Sequence, residues 1–434
     1  MKKQEGSFYR KIIGISNLLT PSTTFLIVTM GSLLFLLWNI IDSHGAVIEQ
    51  YFFYNIRDTG MDFLHSIEYV RGRHPYEQFH TLYPPLANLM FMVLFRMVPE
   101  WICHRWPDNF VDSIGIRGTD LDLRTYQATM LLFILFIIVC AVLINQLVQY
   151  AMRERAGWER NLIAWSVLLS YGMLYAFERG NIIILAWILT MFFLLFYDSD
   201  KFVLRELAAL ALAVAAGIKL YPALFGVLLF RRKSMFLALR TISYGLMSVI
   251  LPCFIFKEGL SAIRMWIEIT LEFGASEPSP IGNSFQNILF SVQDLMREFW
   301  GVEMGTGWFG MASIVVVAFC ILISFSFKED WRKVLAITLG MVLFSKQADY
   351  IYVFFSIPLL VMLRGENRLR WNNVLETAGM IALTVPLPLF YEKDIYYPRN
   401  TLAQIVMVIL LVLLGIQFVI RLREMIRSKN ETVG

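Results

Sequence analysis

The sequence predicts an all-α protein that crosses a membrane many times. Apolar residues make up 57% of its 434 residues and the mean hydropathy is +0.60, whereas soluble domains are about 45–50% apolar. Several apolar runs approach or exceed the roughly 18 residues that cross the hydrocarbon core of a bilayer. Lipid offers the backbone no hydrogen-bond partners, and these runs do not alternate polar and apolar residues as barrel strands do. The spans are therefore expected to be helices.

Hydropathy predicts a polytopic bundle of about 12 transmembrane helices, within a range of 10–13. The spans are predicted near residues 22–41, 84–98, 128–150, 161–177, 181–197, 204–230, 235–256, 310–327, 334–345, 350–363, 374–390 and 401–420. The first run is about 20 residues long and has no small-residue cleavage site, so it is interpreted as an uncleaved span. We interpret residues 1–434 as one integral membrane domain.

The distribution of Lys and Arg predicts the orientation of the bundle. The basic segments are the N-terminal segment 1–20, Arg231–Lys233, 328–333, 364–370 and the tail 421–434. The positive-inside rule assigns them to the cytoplasm. The opposite, outer side then holds the first outer loop 42–83, the large loop 257–309, the turn 346–350 and residues 391–400.

One basic turn, Arg153–Arg155, does not fit this orientation. Three spans precede it, which would place it outside. Either residues 99–127 hide a crossing, or a short span is re-entrant, or these arginines are outside; the sequence leaves the three alternatives open.

Two features of the predicted bundle are irregular. The span 204–230 is interrupted by Lys219-Leu-Tyr-Pro222, where proline removes a backbone donor and disfavours helix before it. Such breaks are tolerated where they line a cavity or are buried in protein. In the large loop, Leu260–Phe273 and Asn287–Trp300 carry apolar residues at helical spacing and are interpreted as amphipathic helices on the membrane surface. Trp266 and Trp300 suit the interface.

Asp62 is the strongest candidate for a catalytic residue. It lies in the polar stretch Asp58–Pro85 that follows the first span, close to the cations Arg71 and Arg73. A structural interpretation, that Asp62 caps the following turn, is the commoner one for a loop aspartate. In the functional interpretation, nearby cations keep the carboxylate ionised, as a general base requires.

Two further clusters have a structural and a functional interpretation. Glu178-Arg179-Gly180-Asn181 could be a plain polar turn, with Gly as the helix stop, but it brings two charges close to the bilayer. Lys219 could extend its ammonium group to an interface, or it could bind a phosphate beside the helix break. Outer segments 282–287 and 345–350 add amide and charged groups to the same side, which favours a shared site.

The sequence lacks the motifs of several other function classes. It has no Walker loop, dinucleotide fingerprint, zincin motif or nucleophile elbow. Its four cysteines have no metal-ligand spacing. We expect no metal, no cofactor and no nucleic-acid partner. The run Asp120-Leu-Asp122 is interpreted as a solvated loop, together with the isolated His80 and His104.

The first outer loop resembles that of glycosyltransferase family 87. The resemblance rests on Asp62-Phe63, then Gly72-x-x-Pro75-Tyr76, then Tyr83-Pro-Pro85-Leu86. Ala215–Pro222, followed by Arg231–Lys233, is similar to the Lys-x-x-Pro segment of that family with its basic turn. The resemblance covers about residues 20–360.

The sequence departs from the family pattern at two places. The Gly-Gln-x-Asn pattern is here Gly180-Asn-Ile-Ile183, and Ala348-Asp349-Tyr350 replaces paired histidines before a tyrosine. Roles of those histidines are therefore not carried over.

The resemblance implies a GT-C-like fold and a polyprenyl-phosphate-sugar-dependent enzyme. Asp62 would be the base, and Lys219 a donor-phosphate or active-site structural residue. The other candidate substrate-binding residues are Arg73, His74, Tyr76, Tyr83, Glu178, Arg179, Asn181, Asn283, Gln286, Lys346 and Asp349.

The leading hypothesis is an inverting transfer of a hexose, mannose in type, at the outer face of a plasma membrane. The partners would be the lipid-linked donor, a lipid or glycan acceptor, and membrane lipids. Two alternatives remain: a transporter or flippase of lipid-linked glycans, since broken helices suit transport equally well, and a ligase or polymerase of such glycans.

Overall fold

The computed structural model describes residues 20–51, 59–103, 119, 121–231, 235–275, 283–344, 346, 348–365, 368–386 and 397–431. Every regular element in these residues is a helix, which confirms the predicted all-α class. Asp58 and the segments 1–19 and 387–396 lie outside the described residues, as do His104 and Asp120.

The α-helices of the first half of the chain are α1 (Pro21–Asp42), α2 (Ala46–Tyr51), α3 (Met61–Tyr69), α4 (Pro85–Phe95), α5 (Glu100–Cys103), α6 (Gln127–Ala151), α7 (Gly157–Leu168), α8 (Tyr171–Arg179), α9 (Ile183–Phe196) and α10 (Phe202–Ile218). Those of the second half are α11 (Met235–Cys253), α12 (Ser261–Ala275), α13 (Phe285–Trp300), α14 (Phe309–Ser324), α15 (Asp330–Phe344), α16 (Ser356–Gly365), α17 (Val374–Thr384) and α18 (Tyr397–Glu431). The described residues also form four 3₁₀-helices: Arg71–Arg73, Leu123–Thr125, Tyr221–Arg231 and Asp349–Phe355.

Within the described residues, 4 helices are long and apolar enough to cross a membrane: α1, α6, α11 and Leu402–Arg427 of α18. Their surfaces expose many large apolar side chains, as expected where lipid replaces water as the solvent. Other apolar helices are shorter, among them α4, α9, α14 and α17. The chain is therefore a membrane protein by composition and length, and the count of about 12 spans is not confirmed.

The predicted span 161–177 is wrong as a single helix, because the chain breaks between α7 and α8. Ser170 takes an extended conformation, with ψ of 151°, before α8 begins. Gly172 then brings α8 directly against the 3₁₀-helix Asp349–Phe355: a Cβ at Gly172 would lie 2.3 Å from the Val353 nitrogen. Close packing of the two backbones, which hydropathy does not reveal, accompanies this break.

The predicted break at Lys219–Pro222 is confirmed. The helix α10 ends at Ile218, Lys219 is extended (φ −140°, ψ 121°), and a 3₁₀-helix follows. The two predicted amphipathic helices also exist, as α12 and α13. Trp300 is 71% exposed, but the interfacial position expected for Trp266 is wrong. That indole is buried among protein side chains, and its Nε1 donates to the Leu82 carbonyl over 3.3 Å.

The turn after α6 lies at the same end of the bundle as the other basic segments. Arg155 donates to Ser22 (2.9 Å) and to Glu159 (2.7 Å), and also to the Leu363 carbonyl. A cavity of about 1020 Å³ at this end is lined by Arg153, Lys333 and Arg364 together. We call this end of the bundle the basic end. The turn Arg153–Arg155 therefore lies on the same side as the other basic segments, not on the outer side.

Before α6 the chain lies at the opposite end of the bundle, where the ring centroids of Trp101 and Tyr126 are 5.3 Å apart. Arg124, just before α6, approaches the Thr59 carbonyl at 3.5 Å, next to α3.

Asp122 does not fit the prediction of a solvated residue. It is 2% exposed and forms an ion pair of 2.6 Å with Arg124, a partner two residues away that the acidic run alone does not indicate.

Candidate active site

Asp62 lies on the first turn of the short helix α3. Gly60 is the N-cap, in the left-handed region with φ of 72°, and its N–H donates to the Glu178 carbonyl over 2.8 Å. The interpretation of Asp62 as the N-cap is therefore wrong. Its position two residues later lets the helix N-terminus favour the carboxylate while both carboxylate oxygens point to other elements.

Both oxygens of Asp62 accept hydrogen bonds from the turn after α8. Arg179 Nη2 donates to Oδ1 over 2.9 Å, and Asn181 Nδ2 donates to Oδ2 over 2.6 Å. The Asn181 Oδ1 accepts the Ile183 N–H over 2.9 Å, which fixes the orientation of the amide. A polar turn 117 residues away along the chain thus supplies both partners of the carboxylate.

Gly180 makes this arrangement possible. It ends α8 in the left-handed conformation, with φ of 64°, so the residues on either side of it can both reach Asp62. A Cβ at this position would lie 2.6 Å from the Phe133 ring and 2.8 Å from the Phe63 Cβ. Glycine therefore meets both a conformational and a steric requirement.

The environment of Asp62 favours its ionised form. Burial alone would raise the pKa of this carboxyl, but the charge of Arg179 and the hydrogen bonds from Arg179 and Asn181 lower it, as does the charge of Lys219. The net effect is a pKa below the usual aspartate value. The side chain is still 18% exposed, so a ligand can reach it.

Lys219 lies between two aromatic rings near Asp62. Its Nζ is 4.4 Å from the centroid of the Tyr83 ring and 5.7 Å from that of Tyr350, both within cation–π range. The side chain is only 8% exposed. The helix break after Ile218 places this ammonium group at the end of α10, where a straight helix would have continued.

Tyr83 links the cage of Lys219 to α3 and to the first outer loop. Its carbonyl accepts from Tyr76 Oη (2.9 Å) and from Asn88 Nδ2 (3.2 Å). Burial, followed by the negative charge of Asp62, raises the pKa of the Tyr83 phenol, which therefore stays protonated. Tyr83 thus faces Asp62 as a neutral hydroxyl group.

A second, fully buried network lies next to this cage. Asp349 accepts from Tyr171 Oη on one oxygen and from Asn283 Nδ2 on the other, each over 2.9 Å. Tyr352 Oη donates in turn to Asn283 Oδ1. Asp349 precedes Tyr350 directly, so the network is continuous with the cage through the backbone.

The comparison with protein families decides what kind of protein carries this site. The model of glycosyltransferase family 87 matches residues 81–346, more than half of the chain. The chain belongs to glycosyltransferase family 87. It is therefore a membrane glycosyltransferase. No curated protein and no solved structure matches it.

The family 87 match begins after Asp62, so it includes Lys219 and the α8 turn but not the carboxylate they surround. The matched region provides Arg179 and Asn181, which bind the Asp62 carboxylate, and Lys219, whose charge acts on it.

The remaining candidates in this family 87 chain have other positions. Tyr76 is 1% exposed and packs on Phe256 below the Tyr83 carbonyl. Arg73 is exposed, and His74 pairs with Glu77 at 3.1 Å. Arg73 is thus exposed and His74 half-buried, and neither is among the groups that act on the pKa of Asp62.

Three more candidates are less closely tied to Asp62. Glu178 is buried, and its carbonyl accepts from Gly60. Gln286 and Lys346 are half-buried, the first in the opening turn of α13 and the second just before the Asp349 network.

Sequence reasoning did not identify Tyr171, Tyr350 or Tyr352 as site residues. Tyr350 is the last residue of the candidate segment 345–350 and stands at the tyrosine of the family pattern, but it was not singled out as a site residue. Tyr171 and Tyr352 lie within apolar runs, where a tyrosine is normally interpreted as a residue of the hydrophobic core. Their hydroxyl groups matter because a buried Tyr O–H needs a hydrogen-bond partner.

Proposed function

We propose that this enzyme transfers a hexose, mannose in type, from a polyprenyl-phosphate-linked donor to a hydroxyl group of a lipid or glycan acceptor, with inversion. The observation that carries the proposal is the position of Asp62: an ionised, partly exposed carboxylate held by Arg179 and Asn181 beside the caged Lys219.

Asp62 is the general base of the proposed reaction. As the acceptor oxygen attacks the anomeric carbon, its proton passes to a carboxylate oxygen, and the bond between that carbon and the donor phosphate oxygen breaks. A single in-line displacement inverts the anomeric configuration. The two protein hydrogen bonds leave lone pairs on each oxygen of Asp62 for the incoming hydroxyl.

Lys219 and Arg179 are the electrostatic partners of the leaving group. Breaking the glycosidic bond leaves a second negative charge on the polyprenyl phosphate, and fixed cations in a site of low dielectric constant stabilise that charge. Because a phosphate is already a good leaving group, we propose that the reaction needs no metal and no cofactor.

The orientation of the bundle supports an active site on the outer face of the plasma membrane. Asp62 and Lys219 lie at the end opposite the basic end, and the positive-inside rule assigns basic ends to the cytoplasm. The helices α12 and α13 lie in the loop of the same end. α13 exposes Val292, Leu295 and Phe299 along one side, which suits contact with membrane lipids and the donor tail.

Membership of glycosyltransferase family 87 favours sugar transfer over flippase activity, in which the lipid-linked glycan would move across the membrane without covalent change. A ligase or polymerase would instead require a pyrophosphate-linked donor. Mass spectrometry of the lipid product distinguishes these reactions, because only the proposed one adds a single hexose and releases polyprenyl monophosphate.

The test is transfer from radiolabelled polyprenyl-phosphate mannose in proteoliposomes that contain the purified protein and candidate acceptors. We expect Asp62→Asn to lower kcat about 10²- to 10⁴-fold, the usual contribution of a positioned base. Asp294→Asn, at an exposed carboxylate of α13, is the matched control and should behave as wild type. Near-normal turnover of folded Asp62→Asn would overturn the assignment.

A further inference from the structure

We infer that Asp349 is a positioning residue that holds the aromatic cage around Lys219. The inference deepens the proposed function, on which it rests for the role of Lys219. It assigns Asp349 and Asn283 to the support of the site instead of to contact with substrate.

The hydrogen bonds of Asp349 account for both of its oxygens. Tyr171 Oη and Asn283 Nδ2 each donate over 2.9 Å, and Asp349 is 1% exposed. Asn283 is fully buried as well, and its own oxygen accepts from Tyr352. Both residues are therefore inaccessible to solvent, which favours a supporting role over contact with a sugar.

The same network joins three separate segments of the chain. Tyr171 is the first residue of α8, Asn283 precedes α13, and Asp349 begins the 3₁₀-helix that carries Tyr350. Removing one acceptor from such a network leaves buried donors unsatisfied, which costs about 1–3 kcal/mol per group. The carboxylate therefore fixes the relative positions of these segments.

Tyr350 transmits this position to Lys219. Its ring centroid lies 5.7 Å from the ammonium group and 6.0 Å from the centroid of the Tyr175 ring. Tyr175 in turn stacks on Tyr171, with centroids 6.1 Å apart. A shift of Tyr171 relative to Asp349 would thus move Tyr175 against the Tyr350 ring, and Tyr350 in turn contacts Lys219.

The other end of α8 carries Arg179, which binds Asp62. The position of α8 against the 3₁₀-helix therefore sets the separation between the base and the caged cation. Gly172 allows the two helices to touch, and the Tyr171–Asp349 hydrogen bond fixes their register.

Exchanging the two residues of the amide–carboxylate pair tests the inference. Asn283→Asp alone would place two buried carboxylates side by side, so the network should open. Combining it with Asp349→Asn keeps all three hydrogen bonds. The amide introduced at position 349 accepts from Tyr171 and donates to the carboxylate introduced at position 283, which accepts from Tyr352. Tyr171→Phe is a milder variant that removes a single donor.

The readout is acetylation of Lys219 in the full-length protein, followed by mass spectrometry of its peptide. It is measured at the same pH for every variant and needs no substrate. Because the side chain is 8% exposed, opening the cage should raise labelling up to about tenfold in Asn283→Asp. Tyr171→Phe should raise it about two- to threefold, and the double exchange should restore the wild-type rate.

Glu376→Gln is the control for general destabilisation, since it disturbs a buried ion pair at the basic end and should leave Lys219 labelling unchanged. Wild-type labelling in both Asn283→Asp and Tyr171→Phe would overturn the inference, as would a double exchange that fails to restore it.

Transfer from polyprenyl-phosphate mannose is measured in parallel, to separate this inference from the proposed function. Altered labelling in an enzyme that transfers no sugar from this donor would contradict the proposed donor and leave the positioning role supported. Unaltered labelling in an enzyme that does transfer mannose from this donor would support the proposed donor and contradict the positioning role.

Discussion

The Nη2 of Arg179 lies 2.9 Å from Oδ1 of Asp62, although 117 residues separate them in the chain. This pair determines the charge state of the proposed base. It also joins the first outer loop to the region that matches the family model.

Replacing Arg179 by Gln should move the acid limb of the pH profile. The pKa of Asp62 is depressed, so the base is active above that pKa and loses activity as the pH falls through it. Losing a neighbouring cation raises a carboxyl pKa by about 1–3 units, while Lys219 and Asn181 continue to lower it. The acid limb of kcat/KM should therefore move to higher pH. Arg264→Gln, at an exposed ion pair, should leave the profile unchanged, and an unmoved limb in Arg179→Gln would contradict the role of this pair.

Lys219→Met should weaken binding of the donor phosphate. Removing a caged cation should raise the KM for polyprenyl-phosphate mannose about 10- to 100-fold, or about 1.4–2.8 kcal/mol. Lys219→Arg keeps the charge but not the compact shape of an ammonium group, so it should restore only part of the affinity. The matched control is Lys201→Met, at an exposed lysine of the basic end. An unchanged KM in Lys219→Met would assign the lysine to structure alone.

Gly180→Ala should destabilise the protein more than Gly301→Ala does. Both glycines have φ of 64°, so alanine strains each backbone by about 1–2 kcal/mol. A Cβ at Gly180 also meets Phe133 and Phe63, whereas nothing lies within 4 Å of one at Gly301. With about 1–3 kcal/mol for the clash, the cost at Gly180 should reach about 2–5 kcal/mol. Denaturant unfolding in detergent measures the difference; equal losses would exclude the steric contribution.

Arg332→Met should be strongly destabilising, and Arg332→Met with Glu376→Met should not. The Arg332–Glu376 ion pair of 2.8 Å is nearly inaccessible to solvent. Removing one partner of such a pair leaves a buried charge and costs about 3–5 kcal/mol, whereas replacing both by apolar residues is often neutral. Thermal unfolding of the two variants tests this; a double variant as unstable as the single one would show that the pair is needed for more than charge compensation.

The features of the site that could be predicted from the sequence are local. Lys219 at a helix break follows from the proline three residues later, and a polar turn at Glu178–Asn181 follows from its interruption of two apolar runs. The amphipathic helices α12 and α13 follow from apolar spacing. In each case, the residues that carry the signal are the ones that form the structure.

The features that could not be predicted depend on contacts between distant segments. The periodicity around Asp62 carries no information about Arg179. Likewise, nothing near Trp266 in the sequence indicates its hydrogen bond to Leu82, which lies 184 residues away. Tertiary contacts decided both cases.

The distribution of the site along the chain has a consequence for biosynthesis. Asp62 is made early, Lys219 near the middle, and Asp349 and Tyr350 late. At about 5–20 residues per second, roughly 15 to 60 seconds separate the first of these from the last. During that interval the nascent chain in the membrane holds the carboxylate without a complete cage for the cation. The enzyme can thus begin to act only when most of its helices have been inserted, and fragments that end before residue 349 should remain inert in the membrane.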